Sequence, residues 1–150
     1  MGSTKARALA NAVAILNLAD ILEEVFDDVS EQIVDLQKEQ LRSGIDAKGR
    51  LMPDYHPLTI MKKKEMGVTL EHKGIILFDE GDFYSGIFKG SNKGVLSLFS
   101  VDYKTEMLIN RYGKDIFGFN NDSIEKLKEI VVPLVKEKIT LKLKIWFMIT

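Results

Sequence analysis

Apolar positions recur at spacings of three and four through the first part of the chain. Leu18, Leu22, Val25, Val29, Ile33, Leu36 and Gln40 fall on one stripe, which predicts a helix from about residue 5 to residue 42. Asp20, Glu23, Glu24, Asp27, Asp28, Glu31 and Asp35 lie mostly off that stripe, either as a solvated face or as a docking face for a basic partner. No proline or glycine occurs between Ser3 and Gly44. The earlier stripe of Leu9, Val13 and Leu16 is slightly out of phase, so Asn17 is the expected break.

The helical pattern dissolves over residues 43–67. Gly44 suits a left-handed helix cap. Asp46, Ala47, Lys48 and Gly49 read as a turn in which Asp bonds its own backbone and Gly takes a positive φ. Pro53 and Pro57 push Met52 and His56 out of helical conformation. The segment therefore reads as a long extended arm with Tyr55 and Leu58 as anchors, which cannot bury much against its own domain. A short helix over residues 59–66, carrying Lys62, Lys63 and Lys64, should end at Gly67.

From residue 68 the pattern becomes β-like. Residues 68–70 and 74–78 are short apolar runs. Residues 83–89 and 95–102 flank Ser91, Asn92, Lys93 and Gly94, a hairpin turn. Residues 104–111 predict a short helix stopped at Gly113, and 115–119 a short strand or turn. Asp122 and Glu125 have capping-box spacing, so a helix should follow with Ile124, Leu127, Val131 and Leu134 inward. Pro133 should kink or interrupt it. The tail at 139–150 alternates as a strand would, but Leu134, Lys138, Leu141, Ile145 and Met148 also fall at helical spacing; continued helix is preferred. Exposed, residues 145–149 would be a sticky surface.

The chain has 150 residues, which suits one domain with a helical segment (1–42), the arm (43–67), a β-rich core (68–120) and a C-terminal helix and tail (121–150). Its 21 basic and 22 acidic residues give a net charge of -1, with no global pull toward nucleic acid or an anionic membrane. The absence of cysteine excludes disulfides and thiolate chemistry. The apolar run 8–19 behind Lys5 and Arg7 has the outline of a signal peptide, but Asn11 and Asn17 interrupt it and its period continues into the acidic segment. A protein made and kept in the cytoplasm, with no membrane span, is the expectation.

Candidate chemistry is sparse. His56 and His72, the only histidines, share no motif with a serine or carboxylate. Ser85 lies near Gly81 and Gly86 without nucleophile-elbow spacing. Asp79, Glu80 and Asp82 could hold a cation for a small hydrolase, or form a polar turn. Lys62, Lys63 and Lys64 could touch nucleic-acid phosphates, or be a solvated face. No metal or cofactor is expected.

The middle of the chain resembles the tailed-phage virion-morphogenesis and tail-completion (neck) proteins. Gly44, Asp46, Gly49, Tyr55, Pro57, Thr59 and Lys63 match a first motif of that family. Leu77, Asp79, Gly81 and Phe83 match a second, and Tyr112, Gly113, Phe117 and Gly118 an aromatic–glycine element before the last helix. Glu80 stands where the family has Thr, Lys114, Asp115 and Ile116 replace its Pro-x-Arg, and Leu51 and Met52 stand near the place of its Trp. The resemblance implies an α+β subunit with a long N-terminal helix, an extended arm, a small, mostly antiparallel sheet with a hairpin, and a C-terminal helix. It implies a non-enzymatic virion protein, made in the host bacterial cytoplasm, that forms a homo-oligomeric ring at the head–tail junction or tail top. Its partners would be copies of itself and other neck, portal or tail proteins, with DNA contact only if the ring lines the channel. The implied assembly residues are Asp46, Gly49, Tyr55, Pro57, Leu58, Thr59, Lys63, Asp79, Gly81, Phe83, Tyr112 and Gly113.

Overall fold

Asn17 breaks the first helical stretch as its sequence position predicts. In the computed structural model, which describes residues 2–14 and 16–149, α1 (Gly2–Ala14) is followed by α2 (Leu18–Asp28). The Asn17 carboxamide oxygen caps α2 by accepting from the Ala19 and Asp20 amides at 3.1 and 3.4 Å. A second break was not expected: α2 stops at Asp28, Val29 adopts φ −111°, and α3 (Ser30–Arg42) begins anew. Asp27 and Asp28 occupy the last turn of α2, where negative charge opposes the helix dipole. Ser30 and Glu31 then favour a fresh start.

The remaining elements are α4 (Pro57–Glu65), a single turn α5 (Asp82–Ser85), the hairpin β1 (Ile87–Asn92) and β2 (Val95–Ser100), α6 (Thr105–Tyr112), a 3₁₀ turn (Lys114–Ile116) and α7 (Asn121–Ile149). The fold is α+β, its sheet a two-stranded antiparallel hairpin. The loop residues Lys93 and Gly94 both have positive φ, 51° and 75°, the geometry that matches the twist of paired strands.

Several sequence expectations are corrected. Residues 68–70 and 74–78 are not ladder strands; their one β-bridge joins Gly74 to Asp54. Leu77 takes φ +54°, which ends any extended run. Residues 82–85 are helical, so the first strand begins at Ile87 rather than near Phe83. Of the two alternatives at 115–119, strand or turn, the turn holds, with a 3₁₀ turn at Lys114–Ile116. The cap of α7 is Asn120, whose side chain accepts from the Ser123 amide at 2.9 Å, not Asp122. Ile124 faces out rather than in. Helix α7 runs through Pro133 without interruption and includes the tail to Ile149; Thr150 lies outside the described residues.

The chain forms two compact units. The first comprises Met1–Val29, Ser91–Leu96 and Lys128–Thr150. Ile21, Val25, Phe26 and Val29 are buried there, with Val131, and each such side chain contributes about 1.5–3 kcal/mol of burial. Leu18, on the predicted stripe, is exposed. The acidic face is partly answered from α7: Lys138 reaches Asp28 at 3.0 Å and Glu24 at 3.6 Å, and Lys142 reaches Glu24 at 3.2 Å. A Cβ at Gly94 would meet the Ala19 Cα at 3.1 Å, so the hairpin tip needs glycine for its closeness to α2 as well as for its φ.

The second unit comprises Ser30–Gly90 and Ser97–Leu127. Its core gathers Leu41, Met52, Ile75, Leu77, Phe83, Tyr84, Ile87 and Ile116. Phe83 and Phe117 pack with ring centroids 5.7 Å apart, and Phe88 and Phe99 form an edge-to-face pair across the hairpin.

Candidate functional site

The segment predicted as an arm is folded onto the second unit. Gly44 adopts φ +66°, and a Cβ there would lie 2.5 Å from the His72 ring. Asp46 is buried, and one of its carboxylate oxygens accepts from the Lys48 and Arg50 amides, each at 2.9 Å. The other is bound by the Arg50 guanidinium, whose Nε donates at 2.8 Å. Arg50 also reaches Asp115 at 3.0 Å, as does Lys48. Burial pushes the Asp46 carboxyl up, but the Arg50 side chain and the two amides together hold it below the usual carboxylate range. Downstream, Tyr55 N donates to Lys73 O and Ile75 N to Pro53 O, at 2.8 and 2.9 Å. Extended backbone must pair its amides and carbonyls somewhere, and here it does so within the unit. Met52 is buried and Tyr55 half-buried. The expectation that this stretch buries little is therefore corrected. Its outward residues include Lys48, Gly49, Arg50, Leu51, Pro57 and Leu58, with Leu51 81% and Leu58 68% exposed.

Tyr55, Thr59, Lys63, Asp79, Gly81, Phe83 and Tyr112, which lie far apart in sequence, line a single cavity of about 430 Å³. Lys63 organises it. Its side chain is buried, its amine donates to the Phe78 carbonyl, and it lies 5.1 Å from the Tyr55 ring centre. Burial pulls its pKa down. Asp79 is held loosely, 3.9 Å from both Lys63 and Lys104. Lys62 and Lys64 face solvent, so the lysine triplet is divided between two environments. Asp46 and Gly49 belong instead to the Arg50 network, and Gly113 ends α6 at φ +89°.

His56, His72 and Ser85 have structural partners. His56 Nδ1 caps α4 by accepting from Leu58 N at 3.3 Å. His72 accepts from Gly74 N through Nδ1, which leaves Nε2 to donate to Arg42 O at 2.8 Å. The Ser85 hydroxyl donates to Asp82 O. Asp79, Glu80 and Asp82 are exposed, and among the described residues no group of three or more metal-ligating side chains is gathered. No described helix is long and apolar enough to cross a membrane.

Sequence reasoning missed Gln37 as a key residue and placed Gln40 only as part of an apolar stripe. Both are buried and bind residues 116–120. A polar amide at a core position of a helix was the available signal. A second groove, of about 610 Å³, lies between residues 66–71 and 76–80 and includes Arg42.

Comparison of the chain with protein-family models, with curated proteins and with solved structures returns no match.

Proposed function

We propose that this chain is a structural subunit of a tailed-phage (or prophage) virion, a ring-forming neck or tail-completion protein at the head–tail junction or tail top. The observation that carries the reading is the ordered motif series, from Gly44 to Gly118, and the work its residues do. The motif glycines 44, 49, 81, 113 and 118 all have positive φ, between 66° and 107°, where other residues are strained. Asp46, Tyr55 and Lys63 tie the irregular segments together, and Phe83 packs on Phe117. Such residues are the signature of a particular backbone path rather than of a reaction. In this reading the chain acts by occupying a place in an assembly, without cofactor or catalysis.

The outward apolar residues support it. Leu51, Leu58, Met61, Val101, Tyr103 and Met107 are exposed on the second unit, and contact with a neighbour would cover them. A tagged copy, expressed during phage production, should co-purify with particles. Consistent loss of the tag from purified particles would remove the proposal.

A further inference from the structure

We infer that the tip of the 46–51 loop of one copy, led by Leu51, seats in the 66–71/76–80 groove of the next copy. This rests on the ring reading and deepens it by naming both halves of the contact.

Leu51 is a large aliphatic side chain left 81% exposed between half-buried Ile45, its bridge partner, and buried Met52. It is rigidly presented. The bonds of Asp46 to Arg50, and of Asp115 to Arg50 and Lys48, hold the loop on both sides. A preordered knob loses little freedom on docking. The groove that would receive it has apolar walls from Val68, Leu70, Ile76 and Phe78 and volume for a leucine and its neighbours, about 610 Å³.

The charges are complementary. The groove is lined by Glu71, Asp79 and Glu80 and by Arg42; Asp79 is loosely paired with Lys63 and Lys104 at 3.9 Å, which leaves Glu71 and Glu80 as its acidic rim. The loop that carries Leu51 also carries Lys48 and Arg50, whose side chains are 62% and 60% exposed. These cations already bind Asp46 and Asp115 on their inner side, and their outer faces would meet the acidic rim. Both halves of the fit are carried by one chain, which points to a second copy as the occupant. Knob and groove are different patches, so each added copy leaves a new groove and a new knob free. Contacts of that kind add head to tail and can close into a ring.

The absence of native cysteine makes cross-linking a clean test. Leu51→Cys and Glu71→Cys, both at exposed positions, are prepared as separate proteins with tags of different size, mixed, and treated with a short bismaleimide. Any product carrying both tags joins two copies by construction. The expected result is efficient 51–71 cross-linking, well above that of a Leu58→Cys control with Glu71→Cys. Leu51→Asp should keep the wild-type thermal transition and weaken self-association by about tenfold or more. Light scattering separates the failures. If mass rises with concentration but the 51–71 pair cross-links no better than the control, the groove contact is wrong and the ring reading stands. If the wild type stays monomeric at every soluble concentration and no pair cross-links, in solution or in particles, both are wrong.

Discussion

Gln37 and Gln40, one turn apart on α3, bind Gly118 from both sides. Gln37 Oε1 accepts from Gly118 N at 2.8 Å, and Gln40 Nε2 donates to Gly118 O at 2.9 Å. The remaining ends of the two amides take Ile116 O and Asn120 N. Two side chains thus supply what a neighbouring strand would supply to a strand at 116–120. Gln37→Leu keeps the volume but leaves Gly118 N and Ile116 O without these partners. It should cost about 1–3 kcal/mol in urea unfolding, and Gln40→Leu about the same.

The apolar run at 74–78 has the same explanation. Ile76 N donates to the Tyr55 hydroxyl at 3.2 Å, and the Tyr84 hydroxyl donates to Ile76 O at 2.6 Å. Burial pushes the Tyr84 pKa up, so this phenol stays protonated as a donor. Tyr84→Phe should destabilise by about 1–3 kcal/mol, the cost of a buried carbonyl left unpaired. Tyr55→Phe should cost less, because its bond is longer and less buried. Urea midpoints of both single variants and the double variant measure this.

These two cases show what could be read from the chain. Helices with caps or glycine stops were legible, because Asn17, Gly44, Gly67 and Gly113 act through local backbone chemistry. The hairpin was legible from Lys93 and Gly94. That 74–78 is no ladder strand was not, nor which of strand and turn holds at 115–119. Their apolar composition says only that they are buried; whether a strand or a set of side chains pairs their backbone depends on Tyr55, Tyr84, Gln37 and Gln40, all distant in sequence. The break at Val29 was hidden because the apolar stripe stays in phase across it. Of the motif residues, order and spacing marked the set, but not that Tyr55, Lys63, Asp79 and Tyr112 share one cavity.

The Asp46 network should give the protein a component of acid sensitivity. The folded value lies below that of the unfolded chain, so between the two the unfolded state binds more protons and stability rises with pH. The contribution is present above about pH 3.9, the ordinary aspartate value, and is lost as pH falls through the lowered one. Asp46→Asn keeps an oxygen for the Lys48 and Arg50 amides but removes the charge facing the guanidinium. The stability gap between wild type and Asp46→Asn should be widest near neutrality and close in acid, as read from unfolding curves across pH.

Lys63 should show the opposite edge. Burial lowers its value, so the folded state releases this proton first. Stability then rises with pH between the lowered value and about 10.4. Lys63→Met lacks this dependence, so wild type should gain on it as pH increases through that window. A gap that stays constant with pH would show that the Lys63 amine is not desolvated.

The proposed virion role is tested most directly by counting this chain in phage particles purified from cells that carry its gene. Quantitative mass spectrometry against a portal-protein standard should find it in several copies and in a fixed ratio, and the Leu51→Asp variant should lower that ratio. Absence from the particles, with the protein abundant in the cells that made them, would contradict the account.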